Sequence, residues 1–589
     1  MVAKIEQVAN KNFDYIIIGG GTAGLTLAAK LSEDPLKSVL VLEEGYDNLN
    51  DDEILRPVVP LKGFGNEKYS WNVTTTPQAH LNDRVLHWQR GRGFGGSSNI
   101  NLFQYTIPPA DDIDVVERLG SKGFNWNAFN SALKKIEGFV TPSDAESALM
   151  EIDIVAGQLD IGQDGPLKIS LQPSLVTPYK VIQETFKATG IPCASKPYNG
   201  DPTGLFLAAG TWDPISNTRS YAAPAFYQPH ESRDNLTALA RAHVHRVITR
   251  KDNDILIATG VEFGHEGVTY TVQATKEVII AAGALHSPKV LELSGIGDRK
   301  VLEKAGVPVV LDLPGVGANA QEHLATGIGF ELNKEGDLAK SVLGEIAATG
   351  AGLRPAVAFT MATLDMVSPR SKELVKLARE KIEANWETYS PGLQRQYEIQ
   401  LDRLENGGVE CEIAANFSLT MATMQPNPAE KDALYLSISP ISMHPFSRGA
   451  IHIVSSDPAV PPTFDPHYLE ESIDLELLVE QLRFIRNLVT LSPLKDSNPK
   501  ELNPGSAYDT DEKLKEYVKN FSTTSWHTTS TCSMLPLEHG GVVDASFKVY
   551  GTSNLRVVDL SVLPLHVAAH TQSVAYGLGA YAGEVLTSH

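Results

Sequence analysis

Near its N-terminus the chain reads Asp14-Tyr15-Ile16-Ile17-Ile18-Gly19-Gly20-Gly21-Thr22-Ala23-Gly24. An apolar, β-branched run halts at glycines, helical spacing runs from Thr22 to about Ser32, and a second apolar run, Ser38 to Gly45, follows. Strand, helix and strand in that order predict a βαβ unit with a parallel sheet. In Gly19-x-Gly21-x-x-Gly24 the glycines permit a tight turn, close backbone approach to a pyrophosphate, and helix packing on the strand. The pyrophosphate would then rest on the helix N-terminus. Glu43 ends the second strand 19 residues after Gly24, placed to accept from a ribose hydroxyl. An acidic residue there argues against a phosphate on that ribose. NAD and FAD both fit this motif.

At 589 residues the chain exceeds the roughly 250–300 residues at which a single core stops growing, so two domains or one with a large insertion are expected. Asp and Glu number 71 against 50 Lys and Arg, for a net charge of -21, with no basic run. That balance argues against nucleic acid and anionic membrane surfaces as partners. The uncharged run Tyr15–Ala29 is interrupted by glycines and falls short of the ~20 apolar residues of a membrane span. The start lacks an apolar secretory segment, so a cytoplasmic location is expected of the chain as written, or secretion if the N-terminus has been processed. Cys193, Cys411 and Cys532 are too few and too dispersed for a disulfide framework or a zinc site, and no metal is expected. Sequons at Asn72, Asn235, Asn416 and Asn520 decide nothing. Late in the chain Leu475, Leu478, Leu482, Ile485 and Val489 mark one helical face, and Lys372–Tyr389 also reads as helix.

Two further segments narrow the cofactor. Residues 90–101, RGRGFGGSSNIN, and 283–297, GALHSPKVLELSGIG, resemble the two signatures of the glucose–methanol–choline (GMC) family of FAD-dependent oxidoreductases. The resemblance continues through Leu313–His323, His444–Ile453, Trp526–Met534 and Leu555–Ser573. It implies an α/β fold with two parts: a Rossmann-like FAD-binding domain on a parallel sheet (10–160, 205–322 and 535–589), and a substrate domain on an antiparallel sheet flanked by helices (161–204 and 323–534). It also implies a cofactor site. Gly19, Gly21, Thr22, Ala23, Gly24 and Glu43 would hold the ADP half. Arg90, Gly95, Gly96, Ser98, Asn101 and Leu102 would line the flavin and pyrophosphate, and Val244 would meet the adenine. Asp559 would lie near the diphosphate and ribityl chain, with His570 and Thr571 at the flavin. Departures from the pattern are Phe94 for an aliphatic residue, Leu102 for glycine, and Glu322 for aspartate. Asn99 stands where some members attach FAD through histidine, so FAD is expected to be non-covalent.

Flavin alcohol oxidation needs a base for the hydroxyl proton while hydride leaves the same carbon. Histidine suits the task because its pKa of about 6.5 lets it be neutral before the reaction and charged after it. The family pattern implies His527 as that base and His570 as the partner that holds the substrate oxygen and stabilises a developing alkoxide. Glu412 matches an acidic residue that orients the closing histidine in glucose-oxidising relatives, and reads equally as a solvated carboxylate. His566 is an extra histidine that lines the pocket or packs. Trp526 and Phe103 complete the expected substrate pocket.

Thr524-Ser525-Trp526 lacks the arginine and asparagine that sugar-oxidising relatives place beside the base, and Trp526 offers an aromatic wall. The expected reaction is oxidation of an aromatic or other non-sugar alcohol, with oxygen or a quinone taking the electrons, by a monomer or homodimer. A sugar oxidase or dehydrogenase is one alternative. A non-redox cyclase or lyase that keeps FAD as a scaffold is another.

Overall fold

The computed structural model describes residues 2–56, 63–143, 160–171, 176–349, 358–430 and 433–588. The first strand, Asn12–Ile18, lies between two parallel neighbours, with Ile17 opposite Val41 of Val39–Leu42 and Ile279 of Val268–Ile280. Leu236–Leu239 extends the parallel set on one side and Leu555–Val557 on the other. At the centre of the sheet residues 16–18, Val39–Leu42 and residues 278–280 are continuous apolar runs because both sheet faces are covered, and Ile16, Ile17, Val39, Leu40 and Val41 are wholly inaccessible. An antiparallel ribbon, His243–Asp252 with Ile255–His265, is joined to the same sheet through Val268–Ile280.

The helix Thr22–Leu31 follows the glycine turn and packs on the last helix, Gln572–Thr587. Small residues bring the two close: a Cβ on Gly579 would stand 2.5 Å from the Ala23 carbonyl oxygen. The end of the chain is thereby fixed against its beginning, and Thr571, the N-cap of the last helix, faces the same crevice as Thr22.

A second sheet is antiparallel throughout. Ala358–Thr363, Val409–Asn416, Leu434–Ser442, Leu324–Ala325 and Thr523–Thr524 follow in that order, and Ile328–Leu332 bridges Leu434–Ser442 to Lys500–Asn503. The helix Ile473–Leu488 packs on Leu434–Ser442 and buries Leu475, Leu478, Leu482 and Ile485; Val489 is its C-cap. The helical reading of Lys372–Tyr389 holds in part. The helix spans Ser371–Glu383, and one turn at Trp386–Thr388 follows before Pro391 opens the next helix, Pro391–Glu405.

The three cysteines are unpaired, with Cys411 and Cys532 buried. Among the described residues no helix is long and apolar enough to cross a membrane, and no three His, Cys, Asp or Glu side chains gather as a metal site.

Candidate active site

A cavity of about 740 Å³ runs from the glycine turn of the parallel sheet to a wall of the antiparallel sheet. At one end Gly19, Gly21, Thr22, Ala23, Glu43 and Val244 line it. Gly19 adopts φ +110°, where a Cβ would press on the Ala281 carbonyl. A Cβ on Gly24 would stand 2.1 Å from the Gly19 carbonyl oxygen, so Gly24 serves helix–strand packing and stays outside the lining. The helix starting at Thr22 has no side-chain cap, leaving its first amides for an anion.

Glu43 is engaged more fully than the sequence reading foresees. Its carboxylate accepts from the backbone amides of Gly20 (2.8 Å), Gly45 (2.9 Å) and Gly93 (3.0 Å), which ties three glycine loops together. Three of the roughly four acceptor positions of a carboxylate are thus used. Burial pushes its pKa up against those amides. Sequence reasoning passed over Glu44, His243, His286 and Lys289, which also line this end; Glu44 and His243 adjoin Glu43 and Val244, and His286 and Lys289 lie within the 283–297 segment. Burial raises Glu44 to about 7 and lowers His286 to about 3.

In the middle of the cavity Arg90, Gly96, Ser98, Asn101, Leu102, Asp559 and Thr571 form the lining. A Cβ on Gly96 would meet the Gly21 Cα at 2.8 Å, so the two glycine segments approach within backbone contact. Gly95 lies against Tyr221 and is absent from the lining. Asp559 accepts from Gly283 N–H (2.9 Å), the Ser287 hydroxyl and Ser561 N–H. Arg90 donates to Glu322 at 3.3 Å and to Thr528.

At the far end stand the histidines. The strand Thr523–Thr524 pairs with Leu324–Ala325, and Ser525 N–H donates to the His323 carbonyl at 3.1 Å. Trp526 then takes a left-handed conformation, φ +58°, which costs about 1–2 kcal/mol in a non-glycine residue and turns His527 back toward the cavity. Glu322, fully buried, accepts from His527 N–H at 2.6 Å and from the Thr528 hydroxyl at 2.5 Å. The His527 ring lies 3.0 Å, Nδ1 to Nδ1, from His323. Burial, reinforced by neighbouring histidines, holds His527 and His323 well below the usual histidine range.

His570 is held from another direction. Its N–H donates to the Thr106 hydroxyl at 2.8 Å, and its Nε2 meets the wholly buried Glu412 at 2.9 Å. The solvated-carboxylate reading of Glu412 is therefore set aside. The His527 and His570 rings meet edge to face at 4.9 Å. Nε2 of His527 and Nδ1 of His570 bond to no described residue, and both rings line the cavity.

Two expected pocket residues lie elsewhere. Phe103 is packed on Trp212 and covered by the Arg219 guanidinium 3.8 Å from its ring. His566 is buried behind the base, stacked on His323 at 3.6 Å and donating from Nε2 to the His527 carbonyl at 2.8 Å. Trp526 does line the cavity; it packs edge-on to Phe64 and donates to the His87 carbonyl. The wall beyond the histidines comes from alternate residues Glu412, Ala414 and Asn416 of one strand and Ser439 and Ile441 of the next. Tyr179, Phe359, Phe417 and Leu419 add apolar surface, and Met421 and Met424 line the cavity while half exposed. These residues come from separate segments, so no local pattern announced them.

Two family models described as GMC oxidoreductase match the chain, over residues 13–325 and 445–579. A curated relative, the GMC oxidoreductase family protein Mala s 12 of Malassezia sympodialis, is 34% identical over 98% of this chain and 92% of its own length. Among solved structures, a FAD-dependent oxidoreductase from Chaetomium thermophilum superposes with a TM-score of 0.86 at 27% identity, covering 98% of this chain and 99% of the other. A fungal aryl-alcohol oxidase gives a TM-score of 0.84 at 26% identity, with coverage of 98% and 99%.

Proposed function

Because the chain belongs to the GMC oxidoreductase family, an FAD-dependent class of CH–OH oxidoreductases, we propose that it oxidises an apolar, in particular aromatic, alcohol to the aldehyde or ketone. The observation that carries this reading is the pair of histidines, rings 4.9 Å apart, at the junction of the dinucleotide crevice and an apolar chamber.

The residues present fit FAD: glycines 19, 21 and 96 leave backbone surface bare, an uncapped helix start supplies amides, and the cavity is continuous from there to the histidines. Bound FAD supplies the hydride acceptor. Asn99, at the position of covalent attachment in some members, is an amide that donates to the Arg92 carbonyl and offers no nucleophile, which supports non-covalent binding.

In this reading Nε2 of His527 takes the hydroxyl proton as hydride leaves the carbon. Depressed proton affinity keeps His527 neutral, and so competent as a base, at and below neutral pH. The wholly buried Glu412 holds His570 at Nε2 and so fixes its ring at the cavity wall. His570, so held, keeps the substrate oxygen in place and stabilises it as it becomes an alkoxide. Substrate packed in the apolar chamber would displace water and so strengthen both contacts.

Among alcohols, the lining favours rings over sugars. Phe359, Phe417 and Trp526 offer flat apolar contact, while the one arginine among these lining residues, Arg90, is committed to Glu322 and Thr528. The aryl-alcohol oxidase neighbour supports the same class. Anaerobic mixing of the FAD-loaded enzyme with benzylic, aliphatic and sugar alcohols tests this. Bleaching of the flavin absorbance fastest with benzylic alcohols is the expected result. Fastest bleaching with glucose would overturn the substrate class, and product formation without bleaching would favour a cyclase or lyase.

A further inference from the structure

Behind the base, outside the cavity lining, stand two imidazoles that the reaction as described does not use: His323, hydrogen-bonded to the His527 ring, and His566, stacked on His323 and bonded to the His527 carbonyl. The Met443 carbonyl can only accept, so the 3.0 Å contact to His323 Nε2 requires the hydrogen of His323 to sit on Nε2. His323 is wholly buried, with His566 stacked on its ring at 3.6 Å and no described carboxylate bonded to it, so it stays neutral and its Nδ1 carries a lone pair. That lone pair faces Nδ1 of His527 at 3.0 Å. Two lone pairs cannot face each other at this distance, so His527 must carry its hydrogen on Nδ1. A neutral imidazole has one N–H, and Nε2 of His527 is therefore bare.

We propose that His323 is a positioning residue that fixes His527 in the Nδ1–H tautomer, leaving Nε2 as the basic nitrogen presented to the substrate. The inference rests on His527 being the base. His566 completes the device. Its Nδ1 accepts from the Val567 N–H at 2.9 Å and its Nε2–H holds the His527 carbonyl, so it clamps the His527 backbone while its face keeps the His323 ring from rotating. In many catalytic sites a carboxylate orients the histidine. A neutral imidazole sets the same tautomer while adding no negative charge behind the base, in keeping with a His527 that burial holds neutral.

The tautomer is read directly by NMR of the FAD-loaded enzyme carrying 15N-histidine, with the His527 signals identified as those lost in His527→Asn. The expected wild-type pattern is a protonated Nδ1 and a bare Nε2. His323→Leu removes the acceptor and is expected to shift His527 toward Nε2–H. His323→Asn, whose carbonyl oxygen accepts from His527 and whose amide donates to Met443, restores the wild-type pattern. With any alcohol the wild type oxidises, His323→Leu lowers the rate of flavin reduction about 10²-fold, leaves the apparent substrate Kd within about twofold, and is rescued by His323→Asn. A wild-type His527 found in the Nε2–H form overturns the proposal even if His323→Leu fails to fold. So does a tautomer unchanged in His323→Leu. Unchanged turnover in His527→Ala would instead overturn the assignment of the base, whatever the tautomer shows.

Discussion

Charge placement around two ring nitrogens decides what this site can do. Glu412 is wholly buried, with one oxygen on His570 Nε2 and the other without a hydrogen-bond partner, so it acts on His570 alone. Glu412→Gln keeps the shape and replaces the carboxylate that holds His570 at Nε2. The expected outcome is a flavin-reduction rate lowered about 10²-fold with the folded state retained, read by anaerobic stopped-flow beside a thermal melt. His566 gives a second test. Its folded-state pKa is depressed to about 3 by burial against about 6.5 when unfolded. The unfolded chain therefore binds the extra proton between those values, and the stability His566 confers is complete above pH 6.5 and lost progressively as pH falls toward 3. His566→Gln removes this titration, so the mutant's stability should fall less steeply with acid than the wild type's, by up to about 1.4 kcal/mol per pH unit. Denaturant melts at pH 7 and pH 5 measure the difference. A slope equal to the wild type's would mean that His566 is not buried neutral.

At the scale of elements, what could be read from the sequence depended on distance along the chain. The turn Gly19–Gly24 was readable because strand, turn and helix are consecutive. The pattern of Leu475 to Ile485 was readable because one face of one helix is buried. By contrast, His570 meets Glu412 across 158 residues and His323 meets His527 across 204. The strand that aligns the second pair, Thr523–Thr524, is two residues long and leaves no periodicity. Phe103 read as a pocket residue because it follows the glycine-rich segment, but its positive φ, 69°, turns the ring onto Arg219. The further role of Glu43, accepting from Gly93, was not readable because nothing local announces that Gly93 would come back to it. The contact between the first and last helices is a direct test at this scale. Gly579→Ala places a Cβ 2.5 Å from the Ala23 carbonyl oxygen and should lower stability by about 1–3 kcal/mol and weaken FAD binding. Gly344→Ala, in the helix Asp337–Thr349 and with open space around its Cβ, should be neutral or stabilising by up to about 1 kcal/mol. Thermal melts and FAD titrations of both variants make the comparison.

Across the whole molecule, the two sheets meet along the cavity, so the cofactor would touch the parallel sheet, the 90–102 segment and the start of the last helix at once. Ligand that binds only the folded chain stabilises it by mass action. FAD at 100 times its Kd should therefore raise the stability of the apoprotein by about 2.7 kcal/mol, while NAD at the same concentration, having no isoalloxazine to occupy the cavity, should give a smaller shift. The central claim is that a proton leaves the substrate for His527 as hydride leaves the same carbon. The measurement that bears on it most directly is a single anaerobic turnover of a benzylic alcohol by FAD-loaded wild type and His527→Ala, followed by flavin absorbance. The account predicts rapid bleaching in the wild type and a rate at least about 10²-fold lower in the variant, with FAD content unchanged. Equal bleaching rates in the two proteins would contradict it.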